Sequence, residues 1–510
     1  MAYSFDIFAD DPLDAAYVQW LVEEHSPRIA RHFGRLWDYY ANPSREIGRH
    51  SPADRKVGDS GRCYVQAQEW GLPARLTGLS RAAGHPACVP DIQRKEVVIE
   101  NDIAWRVNAA VDFLFGKPIN FVSRSPDGQK RAEIERIIKA VFAANGDMGF
   151  FQDMAVLAGV YGFVDCIVRP GETIANHIST PLHEVPIDGA VQLARSIDLE
   201  LIEAPRALPV LDENDYRRIR CYVQHFQQRR NSVTAPDSFL ARLLNGGDGG
   251  LDRRQVVDVT EILSPTAWQR YEDDRLVGEG SMPWGFLPVV HIQNMAQPYA
   301  YEGLSDVEPL MPLQDELNTR LSDRASRVTM QSFKMYLAKG LDGFDRRPVS
   351  PGRMWATDNP DASIEEFGGD AAAPSEALHI AEIREAMDKV SGVTPVVAGI
   401  LKSKIGNLTS AVALRLTLMG MLAKNERKKF TYTGGLRRIG AMILAILDKA
   451  GVYRTAEADR DIDVLFPSPL PEDVMERLRE AQIKKELGVP AEQVLRELGY
   501  EPQQTPNTKY

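Results

Sequence analysis

Between residues 130 and 144, Ile134, Ile137, Ile138, Val141 and Phe142 recur at i, i+3, i+4, i+7 and i+8. That period marks one apolar face of a helix, with Gly146 as its stop. A second helical pattern covers 97–115. Strand patterns follow: "IRCYVQHF" (219–226) alternates Ile219, Cys221 and Val223 with polar neighbours, and "LPVVHIQN" (287–294) is rich in β-branched residues. "TAWQRYEDDRLVGEG" (266–280) predicts a hairpin turning at Asp273-Asp274. The first 304 residues therefore read as one mixed α and β region.

After Tyr301 the periodicity becomes helical. Ser305 and Glu308 form a capping box, Pro309 and Pro312 fall near the first turn, and no breaker interrupts the pattern before Gly340. The spacing predicts a helix over 305–340 and a compact insert over 341–373, with two short strands about its Asn359-Pro360 turn. A second helix spans about Ser375 to Val390, within a segment bounded at 374–392. Ile380, Ile383, Met387 and Val390 make its apolar face, and Glu376, Glu382, Glu385 and Asp388 dominate the rest. A loop over 393–408 leads into a third helix, 409–449, which would be about 60 Å long at 1.5 Å per residue. Gly434-Gly435 is the place where it could bend. A returning strand in 450–470 and a short helical pair, 471–487 and 490–498, close the fold, and the last ten residues read as a disordered tail.

This order of parts predicts a two-helix stalk leaving an α+β body, with a small β-containing tip. In a lone chain such a stalk would expose Leu317, Leu321, Val328, Ile383 and Met387; packing against copies in a ring would bury them.

The loop at the mouth of the long helix, "GILKSKIGNLTSAVALRL" (399–416), carries Lys402 and Lys404 and no acid. It fails as a phosphate-cradling loop, because Lys404 stands before Gly406 instead of following the second of two glycines five apart. "LLNGGDGGL" likewise lacks the spacing of a dinucleotide fingerprint. The formal charge of −11 argues against a protein whose main work is gripping nucleic acid, yet suits one that DNA must slide past. The acidic start, MAYSFDIFADD, holds no apolar run of a secretory signal, and no apolar stretch approaches the roughly 20 residues of a membrane span. Cys63, Cys88, Cys166 and Cys221 stand apart, as structural cysteines of a reduced compartment do. His183, His225, His291 and His379 are scattered and suggest no metal, and no cofactor motif is present. "KNERKKF" (424–430) reads as a solvated or inter-subunit face.

In its order and in particular residues the chain resembles the portal protein family of tailed bacteriophages. "GLSDVEPLMPLQDELNTRLSDRA" looks like the start of the family's first stem helix, and "GNLTSAVALRLTLMGMLAKNERKKF" like its tunnel loop running into the long helix. "FLFGKPINF" (113–121) is similar to a segment at the end of an early helix. One departure is Ser410-Ala411, where relatives usually have Ser-Gly. The resemblance implies a non-enzymatic ring, commonly of twelve subunits, at one capsid vertex, assembled in the host cytoplasm and retained in the virion. Double-stranded DNA passes through its axis, pumped by the terminase large subunit. Its other partners would be the major capsid and scaffolding proteins and the head–tail adaptor, with no membrane insertion.

Carried across, 1–304 with the strand in 450–470 would be the wing, 305–340 and 374–392 the stem, 341–373 the clip, 393–408 the tunnel loop and 471–510 the crown and tail. The resemblance assigns Lys402, Lys404, Ile405 and Asn407 to the DNA channel, and Glu376, Glu382, Glu385 and Asp388 to the channel wall of the stem. It assigns Arg346, Arg347, Arg353 and Trp355 to the partner surface of the clip. Glycines at 399 and 406 let such a loop move, and a few screened lysine contacts are weak enough to release passing phosphates.

The competing class is a nucleic-acid-processing enzyme using Asp461 and Asp463, paired acids of the kind a nuclease employs. No third acid or histidine stands at useful spacing. A coiled-coil assembly factor would need sustained heptads, which these helices do not keep.

Overall fold

The computed structural model describes residues 5–8, 13–46, 64–72, 96–179, 185–233, 254–331, 335–339, 360–361, 363–367, 374–398, 416–470, 474–489 and 494. Helix α1 (Ser26–Ala41) is followed by α2 (Asp102–Phe115). The α2 start is fixed by Asn101, whose side chain accepts from the Ala104 amide, so the helix opens later than the apolar pattern at 97 suggests. Residues 96–101 instead give their backbone amides to a later helix: Val98 to Ser322 at 3.0 Å and Glu100 to Asn318 at 3.0 Å. Strand β1 (Asn120–Ser123) leads to α3 (Gly128–Ala144), which buries all five residues of the 134–142 apolar face. Helix α4 (Met148–Tyr161) ends at Gly162, whose φ of +95° suits glycine.

Strands β2 (Phe163–Pro170) and β3 (Ile197–Ile202) pair antiparallel in a three-stranded sheet. A five-stranded meander follows: β4 (Ala207–Leu211), β5 (Ile219–Val233), β6 (Arg254–Leu263), β7 (Ala267–Glu272) and β8 (Arg275–Ser281), each beside the next. The β7–β8 turn falls at Asp273 and Asp274, with φ of 44° and 67°, as the sequence predicts. Strand β9 (Val289–Gln293) returns to β2, so that His291 stands opposite Asp165.

Helix α5 (Met311–Gln331) follows a 3₁₀ turn at Glu308–Leu310. It stops by Gln331, short of Gly340, because β10 (Met335–Lys339) pairs with β11 (Ser363–Phe367). The absence of helix breakers was a local signal only. Met335 and Tyr336, opposite Phe367 and Glu366, take strand partners 32 and 30 residues away, and that pairing decides the outcome. The two strands thus flank nearly the whole insert, where a tight turn at Asn359-Pro360 was expected.

Helix α6 (Pro374–Ser391) matches the second predicted helix. The third, α7 (Met419–Lys449), runs unbroken through Gly434-Gly435, and its expected first turns at 409–415 lie outside the described residues. Strand β12 (Ile462–Leu465) pairs with β1, and α8 (Val474–Glu486) follows. The expected second helix, 490–498, lies outside the described residues except for position 494.

Two cores hold the body together. The larger joins α3, α4, β2 and β9 to the far half of α7 through Ile439, Ile443, Leu444 and Leu447. The second contains Leu317, Leu321, Ile383 and Met387, packed against Ile103, Val107 and Tyr161. These four stem residues are therefore buried within the chain, contrary to the exposed stalk expected of them. These parts of α5 and α6 lie against α2, which the hydrophobic pattern alone could not reveal; Val328, farther along α5, remains exposed.

Candidate functional site

The turn that leads into α5 begins where Ser305 Oγ accepts from the amides of Val307 (3.0 Å) and Glu308 (3.2 Å). The same hydroxyl donates to the Val160 carbonyl at 2.6 Å, fastening this start to α4. Next to it Asp306 is buried, its amide donating to the Gly159 carbonyl at 2.8 Å. A Cβ at position 159 would stand 3.4 Å from the Asp306 carboxylate, so a glycine there leaves it room.

Two lysines from α7 close on that carboxylate. Lys428 Nζ lies 2.5 Å from Asp306 Oδ2, and Lys424 Nζ lies 2.7 Å from Oδ1. Asn294 Nδ2 adds a donor at 3.2 Å. Burial would raise the Asp306 carboxyl, but Lys428 and Lys424 hold it well below the usual carboxylate range. Burial also pulls the Lys428 ammonium down, against the pull of Asp306. Lys428 thus departs from the solvated face read into "KNERKKF". It belongs to the buried stripe Met421, Asn425, Lys428 and Tyr432 of α7, and the signal available was its place in that spacing.

Helix α6 ends at the same place. Gly392, at φ +69°, donates to the Asp388 carbonyl at 2.9 Å and turns the chain out of α6. Lys424 donates to the Ser391 carbonyl at 2.7 Å. From the other side Arg106, buried on α2, sends one nitrogen to Ser391 Oγ (3.0 Å) and the Val393 carbonyl (2.8 Å). Its other terminal nitrogen meets Asp102 at 3.1 Å and Asp388 at 2.8 Å. Val393 is buried among Ala110 and Met421. A short 3₁₀ turn, Pro395–Ala398, then leads to the lysine-bearing segment. The lead-in to α5, the end of α6 and the long helix α7 therefore converge on one charged junction.

Lys402, Lys404, Ile405 and Asn407 lie outside the described residues, as do Arg346, Arg347, Arg353 and Trp355. Of the four stem acids, Asp388 faces Arg106 and Glu376 pairs with Arg327 on α5. Glu382 and Glu385 stay on the surface, 3.7 Å from His379 and 3.2 Å from Lys389. Asp461 and Asp463 are engaged as well: Arg437 reaches Asp461 at 2.5 Å, and Arg124 Nε reaches Asp463 at 2.6 Å. Among the described residues no group of three or more acids, histidines or cysteines could hold a metal.

A family model described as phage portal protein, SPP1 Gp6-like, matches residues 106–499. The chain belongs to that family. The match takes in the junction from Arg106 through Asp306, Asp388 and Lys424 to Lys428, and leaves out Asp102. Among solved structures, a chain from the virion of a native gene transfer agent particle is 13% identical, with 78% of this chain and 90% of that chain covered and a TM-score of 0.38. A chain from the neck of an empty gene transfer agent particle, computed with C6 symmetry, is 14% identical, with 79% and 90% covered and a TM-score of 0.40. No curated protein matches. No helix among the described residues of this portal chain is long and apolar enough to cross a membrane.

A second buried cluster escaped the sequence, which left His291 unassigned. Asp165 accepts from Tyr222 Oη (2.8 Å) and Tyr301 Oη (2.9 Å), with His291 Nδ1 at 2.7 Å. Burial, with Asp165 adding to it, raises both phenols well above their ordinary value and keeps them as donors. The cluster ties β2, β5 and β9 together.

Proposed function

We propose that this chain forms a ring, commonly of twelve copies, at one vertex of a capsid, around the channel through which double-stranded DNA is packaged, retained and ejected. The terminase large subunit drives packaging, capsid and scaffolding proteins surround the ring, and a head–tail adaptor attaches at the clip, 341–373. The family match over 106–499 carries this reading, because it spans both stem helices, the lysine-bearing segment and the long helix together. The geometry of the junction supports it. Arg106 and Lys424 fix the point where 393–408 leaves α6, and a segment that starts from a rigid base suits lysines that meet phosphates in the channel. Within the stem, Glu382 and Glu385 are the acids left to the outer surface, since Glu376 and Asp388 serve ion pairs inside the chain.

The test is native mass spectrometry with negative-stain images of the purified protein, alone and with capsid and scaffolding proteins. Twelve copies of a 56.9 kDa chain give a particle of about 680 kDa with an axial hole. A compact monomer or dimer under both conditions would overturn the reading.

A further inference from the structure

Helix α6 carries two surfaces that differ in shape and charge. One lines a cleft of about 600 Å³ between α6, α5 and α2, with Trp105, Arg324, Ala377, Ile380, Ala381 and Arg384 on its walls. The two alanines leave a hollow on the helix itself. Most of the charge around the cleft is already spent: Arg384 meets Glu100 at 2.6 Å, and Arg106 holds Asp102 and Asp388. Arg324 is the exception, with no ion pair among the described residues.

The other surface lies about a quarter turn away, at roughly 100° per residue. There Leu378 is 62% exposed, and Glu382 and Glu385 follow it one and two turns on. The contacts of these acids with His379 and Lys389 are exposed pairs of one helix, which hold little energy and yield to another cation. The ridge thus offers an apolar knob with two carboxylates. The cleft offers a hollow with a guanidinium that has no ion pair among the described residues.

We infer that the Leu378–Glu382–Glu385 ridge of one copy seats in the Ala377–Ala381–Arg324 cleft of the next, as the contact that closes the stem into a ring. Ridge and cleft belong to one helix, so no chain can fill its own cleft with its own ridge. A contact between two different surfaces of identical chains is heterologous; repeated, it gives a ring when the rotation between copies closes and an open filament when it does not. This inference rests on the ring proposed above and names its contact. It also turns Glu382 and Glu385 toward a neighbour in preference to the channel.

Charge reversal tests the inference. The fraction of protein in rings is read by native mass spectrometry for the wild type, Arg324→Glu, the pair Glu382→Arg with Glu385→Arg, and all three changes combined. Each reversal alone is expected to lower the ring fraction by roughly an order of magnitude, and the combination to restore it. Rings in the wild type with no loss in either variant, or no recovery in the combination, overturn this contact and leave the ring reading standing. A wild type that forms no ring even with capsid and scaffolding proteins overturns both. Cross-linking guards against variants that merely misfold. Chains carrying Leu378→Cys are co-expressed with chains carrying Ala381→Cys and treated with a short bismaleimide, with the wild type as background. A cross-linked dimer specific to the mixture supports the contact, and its absence in assembled rings overturns it.

Discussion

Lys424 joins the lead-in to α5 with the end of α6: its ammonium lies 2.7 Å from the Asp306 carboxylate, just before α5, and 2.7 Å from the carbonyl of Ser391, the last residue of α6. A buried carboxylate shared by two lysines is costly to break from one side, because each remaining charge is left without its partner. Asp306→Asn is expected to lower stability by about 3–5 kcal/mol in denaturant unfolding, and Lys424→Met, which leaves Asp306 with Lys428, by clearly less. The pH dependence has a definite sign. The Asp306 carboxyl is held below its unfolded value, so its contribution is present above the ordinary carboxylate range and is lost as pH falls toward the folded value. The difference in melting temperature between wild type and Asp306→Asn should therefore narrow on going from about pH 6 to about pH 3. A constant difference would show that the charge plays no part.

Arg106 holds the start of the 393–408 segment with a fork that a lysine cannot reproduce: Ser391, Val393, Asp102 and Asp388 all lie within 3.1 Å of its two terminal nitrogens. Arg106→Lys keeps the charge and loses the bidentate reach. We expect faster amide hydrogen exchange at Gly392 and Val393 in that variant, with the five-stranded meander unchanged. Arg106→Ala, which strands two carboxylates, should cost about 3–5 kcal/mol. Unchanged exchange at Val393 in Arg106→Lys would remove the clamp from the account.

Lys402→Ala with Lys404→Ala tests the DNA-facing role of the segment apart from assembly. Rings should form at wild-type yield, because neither lysine belongs to the junction or to the stem contact. Packaging, or retention of packaged DNA, should fall, as read from the ratio of full to empty particles. A normal yield of full, infectious particles from the double variant would sink the role given to these two lysines.

Asp461 and Asp463 provide the contrast with an enzyme. Both are engaged by arginines at a partly exposed site, so Asp461→Asn with Asp463→Asn is expected to cost up to about 1 kcal/mol for each pair broken. Purified wild type and variant should be alike, and inert, toward duplex DNA with magnesium or manganese. A metal-dependent cleavage present in the wild type and lost in the variant would restore the nuclease reading.

The sequence carried the element order, the cap at Ser305, the β7–β8 turn and the α3 core face, because each depends on residues within a few positions of one another. It did not carry the end of α5, which a distant strand decides, nor the burial of Leu317 and Met387 against α2. The junction was hidden for the same reason: Arg106, Asp306 and Lys424 are separated by hundreds of residues, and each alone looks like an ordinary surface charge. Lys428 was nearer to being legible, since a lysine at the i+4 and i+7 spacing of a buried stripe requires a partner.

Gly434 and Gly435 show how a neighbouring pair can carry opposite meanings. The doublet suggested a bend, yet α7 passes through it intact. A Cβ at Gly434 would meet nothing within 4 Å, so Gly434→Ala should only gain helix propensity and stabilise by about 0.5–1 kcal/mol. A Cβ at Gly435 would stand 2.5 Å from Ile292 Cγ1 and 2.6 Å from its Cδ1. Ile292 is buried on β9, stiff at its branched carbon and enclosed by the larger core, so it has little room to swing aside. Gly435→Ala should therefore destabilise by about 1–3 kcal/mol despite the better helix former, through overpacking. Thermal melts of the two single variants decide the matter: shifts of opposite sign place the close approach of α7 to β9 at Gly435, while two stabilising shifts would mean that β9 can yield.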